Sequence, residues 1–136
     1  MNDRYLYRAK RIDNGEWVIG TPIFYKDGSI TIISVNKAEY VGCNIYNPGK
    51  CDVSTLCACT GLKDKNGNII WENDKCVVRR PCVLAYGTIK YLDGCFCFVE
   101  DKTGNILRLC DVRTNGFEIK VEYNISDNPE LLEVGE

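Results

Sequence analysis

Short apolar segments alternate with turn residues along most of this chain. The clearest pattern spans residues 117–123, where the odd-numbered positions are apolar and the even-numbered ones are charged. A repeat of two residues is typical of a β-strand that buries one face. Strands are likewise predicted in other segments rich in β-branched and aromatic residues, namely 5–9, 17–19, 30–35, 69–71, 76–78, 83–91, 95–99 and 106–110.

Turn residues separate these segments at short intervals, as at Asn66-Gly67 and Asn115-Gly116. Short strands with turns between them are typical of a small barrel or sandwich, and no long stretch has helical periodicity. Short helices are predicted at residues 37–40 and 128–132, the second with Asn as N-cap and Pro at the first helical position. The predicted fold is therefore all-β with minor α content: a small partly open β-barrel with an amino-terminal β-hairpin extension and a short carboxy-terminal helix.

Segment 46–50, which includes Pro48 and Gly49, is the best candidate for an internal boundary. It separates an amino-terminal β-hairpin region, 1–50, from a barrel region, 51–136, and the two regions are predicted to pack as one unit. A chain near this length buries roughly two-thirds of the surface that its unfolded form exposes, so it needs no disulfides to hold a core.

Charge and hydropathy narrow the classes of function. The net charge of −2 lacks the basic excess that is typical of a dedicated nucleic-acid binder. No run approaches the ~18 apolar residues of a membrane span, and the first residues have no apolar core of signal-peptide length. We therefore expect a cytoplasmic protein. The exposed strand edges of a small barrel also favour a homo-oligomer.

The nine cysteines raise the question of a metal site. Two Cys-x-Cys pairs, each on one face of a strand, would supply the four thiolates of a structural zinc site: Cys57, Cys59, Cys95 and Cys97. However, the usual zinc spacing is Cys-x-x-Cys, and the chain has no histidine. Free cysteines are also among the most buried residue types. We therefore predict buried thiols, no metal and no cofactor, with zinc as the alternative.

The same lack of histidine argues against an enzyme, because a catalytic cysteine normally needs a histidine base. Glu72 and Asp74 are two residues apart and are interpreted as a solvated strand end rather than as a pair of catalytic acids. No phosphate-binding or dinucleotide-binding loop is present in the sequence. We therefore expect a non-enzymatic protein.

The most specific motif covers residues 60–74. Asn66-Gly67 offers two residues that tolerate positive φ, and Asp64 can hydrogen-bond to the backbone of the turn. As a string, Thr-Gly-Leu-Lys-Asp-Lys-Asn-Gly, followed by an aromatic residue, Glu, any residue and Asp, resembles the motif of the YopX-like proteins of bacteriophages and prophages. Residues 123–132, a short polar segment followed by Asn-Pro-Glu-Leu, are similar to the usual carboxy-terminal sequence of that family.

The resemblance implies a mostly β fold and a phage accessory gene whose product acts in the cytoplasm of an infected or lysogenic bacterium. It carries over no catalytic residue. The sequence departs from the family pattern at two places. Ala58-Cys59 replaces a glutamine and an aromatic residue, and Asn73 stands where the family has glycine. Asparagine tolerates positive φ better than most residues, so we expect the backbone to be kept at position 73.

Aromatic and basic residues are the candidates for a binding surface: Trp17, Tyr25, Trp71, Arg79 and Arg80. The expected function is that of a non-enzymatic phage accessory protein that acts by binding in host takeover or counter-defence. Its partner would be a host protein that it blocks, or a small phosphorylated, nucleotide-type signal that it sequesters. The alternative is a small barrel that binds single-stranded nucleic acid, in which aromatic rings stack on bases.

Overall fold

A computed structural model of the chain describes residues 5–34 and 49–127. Contacts within the chain divide it into two compact units, Met1–Cys59 and Thr60–Glu136, which are described separately. The sequence-based division into 1–50 and 51–136, and the packing of these regions as one unit, stay predictions. The predicted helices at 37–40 and 128–132 lie outside the described residues. Within the described residues, no helix is long and apolar enough to cross a membrane.

The first unit is built on antiparallel strands. They are β1 (Tyr7–Lys10), β2 (Trp17–Phe24), β3 (Ile30–Ser34) and the beginning of β4 (Cys57–Lys63), which follows a 3₁₀ helix at Val53–Thr55. β1 pairs with β2 on one side and with β4 on the other, and β2 pairs with β3. Ala9, Ile30, Ile32 and Cys51 form the buried core of this unit, so the predicted amino-terminal hairpin is present as the β1–β2 ladder.

The second unit continues β4 and contains most of the remaining strands. They are β5 (Ile69–Trp71), β6 (Asp74–Arg80), β7 (Val83–Leu92), β8 (Cys95–Glu100), β9 (Ile106–Arg108) and β10 (Glu118–Asn124), with the helix α1 (Leu109–Thr114) between the last two. Strands β6 to β10 form an antiparallel sheet in the order β10-β6-β7-β8-β9. Burial alternates along β6 and β10, as the period-two pattern predicts for strands with one face in a core.

The core of the second unit lies between this sheet and α1. Val78, Ile89 and Phe98 come from the sheet and are at most 3% exposed, while Leu109 and Val112 come from α1 and are at most 2% exposed. Leu109 and Val112 are three residues apart, so one turn of helix places both side chains on the same face.

Two antiparallel sheets account for the described strands, and their ladders do not close into a barrel. The prediction of an all-β fold with a partly open barrel is confirmed. The observed strands differ from the predicted ones at two places. Segment 106–110 was expected to be one strand, but it leaves the sheet after Arg108 and turns into α1. β4 was not among the predicted strands, although its Cys57 and Cys59 are both buried and share a face.

The 60–74 motif forms the β4–β5 hairpin and the turn into β6. Of the pair Asn66-Gly67, only Gly67 has positive φ, at 83°. The backbone N–H of Asp64 donates to the carbonyl of Asn68 at 2.8 Å, so the loop is longer than a two-residue turn. Asn73 has a φ of 70°, which confirms that asparagine keeps the left-handed conformation where the family has glycine.

Candidate functional site

Two of the five predicted binding residues, Trp17 and Tyr25, lie in the first unit. The guanidinium carbon of Arg8 stands 4.2 Å from the centroid of the Trp17 ring, and the Nζ atom of Lys10 stands 5.3 Å from it. Lys50 Nζ lies 3.9 Å from the centroid of the Tyr25 ring. These are cation–π contacts. Because a guanidinium already lies over the Trp17 ring, that face is not open for stacking on a base.

Trp71, the third predicted residue, is only 4% exposed and belongs to the interior of the second unit. Its backbone N–H donates to Oδ2 of Asp74 at 2.8 Å, and Oδ1 of Asp74 accepts a 3.0 Å hydrogen bond from Nδ2 of Asn124. Asp74 is 1% exposed, so the prediction that Glu72 and Asp74 form a solvated strand end is wrong for Asp74. Its carboxylate closes the turn after β5 from inside the fold.

The four cysteines predicted as alternative metal ligands lie in two separate pairs. Cys57 and Cys59 are buried in the first unit. In the second, the Sγ atoms of Cys95 and Cys97 lie 3.7 Å apart. Burial, followed by the neighbouring Cys95, raises the pKa of the Cys97 thiol to about 11, which favours the protonated form. Across residues 5–34 and 49–127, no group of three or more Cys, Asp or Glu side chains could hold a metal ion.

The remaining two predicted residues, Arg79 and Arg80, meet at a surface groove in the second unit. They end β6, and the two-residue turn Pro81-Cys82 leads directly into β7. The groove has a volume of about 450 Å³ and is open to solvent. We call it the hairpin groove, and it is lined by Arg79, Arg80, Pro81, Cys82, Val83, Leu84, Gly116 and Glu118.

Large apolar side chains beside the hairpin groove are unusually exposed. Val83 is 49% exposed, Leu84 is 51% exposed, and Tyr86 on the same strand is 55% exposed. Leu84 lies directly opposite Arg79 in the β6–β7 ladder, so an apolar and a cationic side chain share one face. Arginine and aromatic residues are enriched in protein–protein interfaces, whereas most charged residues are depleted there.

Sequence reasoning identified the arginines of this surface but missed two of its apolar residues. Val83 and Leu84 were interpreted only as members of a strand. A signal was present, because Val83 and Leu84 are consecutive apolar residues directly after a turn. In a strand with one buried face, two adjacent apolar residues cannot both point into the core.

The turn that carries the groove is strained at Cys82, which has a φ of 68° although it is neither glycine nor asparagine. Replacing Cys82 with glycine is expected to raise the free energy of unfolding by about 0.5 kcal/mol, because the relief of left-handed strain exceeds the added chain entropy. Chemical denaturation measures the change. Cys82→Ala is the matched control, since it removes the thiol and keeps the strain. Equal stabilisation by alanine would contradict this account.

Comparisons with known proteins agree with the fold. The family model described as YopX protein matches residues 6–133. The X-ray crystal structure of protein yopX from Bacillus subtilis is similar to this chain with a TM-score of 0.58 and 17% sequence identity, over 96% of this chain and 98% of that one. A comparison with curated proteins gives no match. Since the family model matches nearly the whole chain, the protein belongs to the YopX family.

Proposed function

We propose that this protein is a non-enzymatic phage accessory protein that binds and blocks a host protein through the hairpin groove and the exposed apolar side chains beside it. The observation that carries the proposal is the combination of half-exposed Val83, Leu84 and Tyr86 with two arginines around one open groove. Membership of the YopX family supports a phage or prophage origin, and a role in host takeover or counter-defence is our proposal for a binding protein of that origin.

The shape of the groove favours a protein partner over a sequestered nucleotide. Sites for small molecules are concave and bury most of the ligand surface. The hairpin groove is open along the tip of the β6–β7 turn, and its apolar side chains continue onto the outer face of β7. A nucleotide phosphate would also meet the carboxylate of Glu118 on the groove wall. An extended protein surface can cover both the groove, with its Leu84, and the adjoining Tyr86.

Cross-linking of the tagged full-length protein in a bacterial host, followed by quantitative mass spectrometry, tests the proposal. We expect one host protein to be recovered with the wild type and at least ten-fold less of it with Leu84→Asp, which places a charge in the centre of the apolar surface. The matched control is Ile106→Asp. Ile106 is 60% exposed and lies on β9, outside the groove, so its substitution should leave recovery unchanged.

Two outcomes would contradict the proposal. The first is recovery of the same host proteins with both variants. The second is a nucleotide that co-purifies with the native protein and is found by native mass spectrometry in the absence of a host protein. That result would support sequestration of a small phosphorylated signal instead. Circular dichroism of each variant establishes that the fold is kept.

A further inference from the structure

Arg80 lines the hairpin groove, and its guanidinium has an unused donor. Its Nε atom is buried, and within the described residues it has no hydrogen-bond partner. Arginine stays protonated in proteins, so this N–H remains a donor at every physiological pH. Buried polar groups are nearly always hydrogen-bonded, and an unsatisfied one destabilises the fold unless a ligand or water accepts from it. The position of Arg80 therefore points to an acceptor that enters from the groove.

The surroundings of Arg80 contact its side chain but provide no hydrogen-bond acceptor for its Nε–H group. The guanidinium carbon lies 5.9 Å from the centroid of the Phe117 ring, at the outer limit of a cation–π contact. Phe117 itself packs against the core of the second unit. Arg80 is thus anchored against the core of the second unit while it lines the groove.

A second guanidinium, that of Arg79, lines the same groove. Glu118 lies directly opposite Arg79 in the β6–β10 ladder, but its carboxylate forms an ion pair with Lys65, at 3.6 Å from Nζ. In the described part of the chain, Arg79 makes no ion pair of its own. The ionised side chains that line the groove, two arginines and one glutamate, carry one net positive charge before Lys65 is counted.

We propose that the hairpin groove receives a carboxylate of the partner protein, an Asp or Glu side chain flanked by apolar residues, and that Nε and a terminal nitrogen of Arg80 donate to its two oxygens. This inference rests on the proposed function. A planar carboxylate matches the fork of a guanidinium. Its single negative charge balances the groove, whereas Glu118 disfavours a phosphate dianion. The flanking apolar side chains contact Val83 and Leu84.

Nitrogen-15 NMR of the full-length protein observes the Nε–Hε group of Arg80 directly. The probes are the blocked tripeptide leucyl-glutamyl-leucine and its glutamine counterpart, which differ only in the carboxylate. We expect the glutamyl peptide to shift the Arg80 Nε–Hε signal and to bind at least five-fold more tightly than the glutaminyl peptide. Arg80→Lys, which keeps the charge but removes the fork, should abolish that difference. Arg113→Lys, outside the groove, should retain it.

A titration with inorganic phosphate distinguishes a carboxylate site from a phosphate site. The response to the glutamyl peptide should be unchanged between pH 7.5 and 5.5, because a glutamate side chain titrates near 4.3. A phosphate response would change across this interval, because inorganic phosphate loses its second ionisation within it. Equal affinity for the two peptides, or tighter binding of phosphate than of the glutamyl peptide, would overturn the assignment of a carboxylate.

The cross-linking experiment described above distinguishes failure of this inference from failure of the proposed function. If both hold, Arg80→Lys and Leu84→Asp each reduce recovery of the host protein by at least ten-fold. If Leu84→Asp reduces recovery and Arg80→Lys does not, the surface binds the host protein and the carboxylate inference is overturned. If neither variant reduces recovery, both are overturned.

Discussion

Replacing Gly87 with alanine is expected to lower the free energy of unfolding by about 3 kcal/mol, the upper end of the usual cost of overpacking a core. Gly87 lies in the middle of β7, where a Cβ atom would clash with the backbone oxygen of Val99 and stand 2.8 Å from the ring of Phe98. Phe98 is 3% exposed and lies opposite Ile89 in the β7–β8 ladder. Neither the ladder nor the buried ring can move aside without breaking other contacts.

The control for Gly87→Ala is Gly104→Ala. Gly104 has a φ of 74° and no atom within 4 Å of its Cβ position. Its substitution should lower the free energy of unfolding by only about 1 kcal/mol, the strain of an alanine in the left-handed conformation. Urea denaturation followed by Trp71 fluorescence, in a Trp17→Phe background, reports on the second unit. Adding Phe98→Leu to Gly87→Ala should recover little stability, because the closest contact is to backbone. An effect of Gly87→Ala no larger than that of Gly104→Ala would show that β7 can shift.

Strand positions could be predicted where one residue in two is apolar, and Ile119 shows why. It is buried while Glu118 and Lys120 beside it are exposed, so period two alone places it in the core. α1 could not be recognised in this way. It has six residues, and Leu109 and Val112 complete a single repeat of helical spacing, which is also consistent with a strand. Packing of these two side chains against the sheet decides the conformation.

The candidate site was only partly predictable because a sequence does not show which side chains are covered. Trp71 and Arg80 were both selected as a residue type that binds ligands, yet Trp71 is buried in the second unit. The feature that distinguishes Arg80 is a buried Nε without an acceptor, and this depends on how Phe117 and the β6–β7 turn pack around it. No local pattern encodes that arrangement.

Asp64, in the 60–74 motif, is a buried carboxylate that contributes to the stability of the second unit. The side chain is 6% exposed. Its Oδ1 accepts from the backbone N–H groups of Asn66 and Asn68, and its Oδ2 from that of Val121 in β10, each at 2.9 Å. The sequence predicted the bonds within the turn, but the bond to β10 requires the fold. One carboxylate thus fixes the hairpin turn and joins it to the edge of the sheet.

Replacing Asp64 with alanine is therefore expected to lower the free energy of unfolding by about 3 kcal/mol, since three N–H groups lose a charged acceptor. Asp27→Ala is the matched control. That carboxylate also accepts bonds within a turn, from Ser29, but it is exposed, and its loss should cost only about 0.5 kcal/mol. Denaturation curves for both variants give the two values, and similar losses would contradict a special role for Asp64.

The contribution of Asp64 should also depend on pH in a defined direction. Burial by itself raises the pKa of its carboxyl group, but the hydrogen bonds from three backbone N–H groups outweigh burial, so the pKa lies below the ordinary value of 3.8. A carboxyl group whose pKa is lowered in the folded state stabilises the protein at every pH above its unfolded-state pKa. This stabilisation is lost as the pH falls through its folded-state pKa. The stability difference between wild type and Asp64→Asn should therefore be constant from pH 7 to about 5 and should shrink below about 4. A difference that stays unchanged down to pH 2.5 would mean that the charge of Asp64 does not contribute.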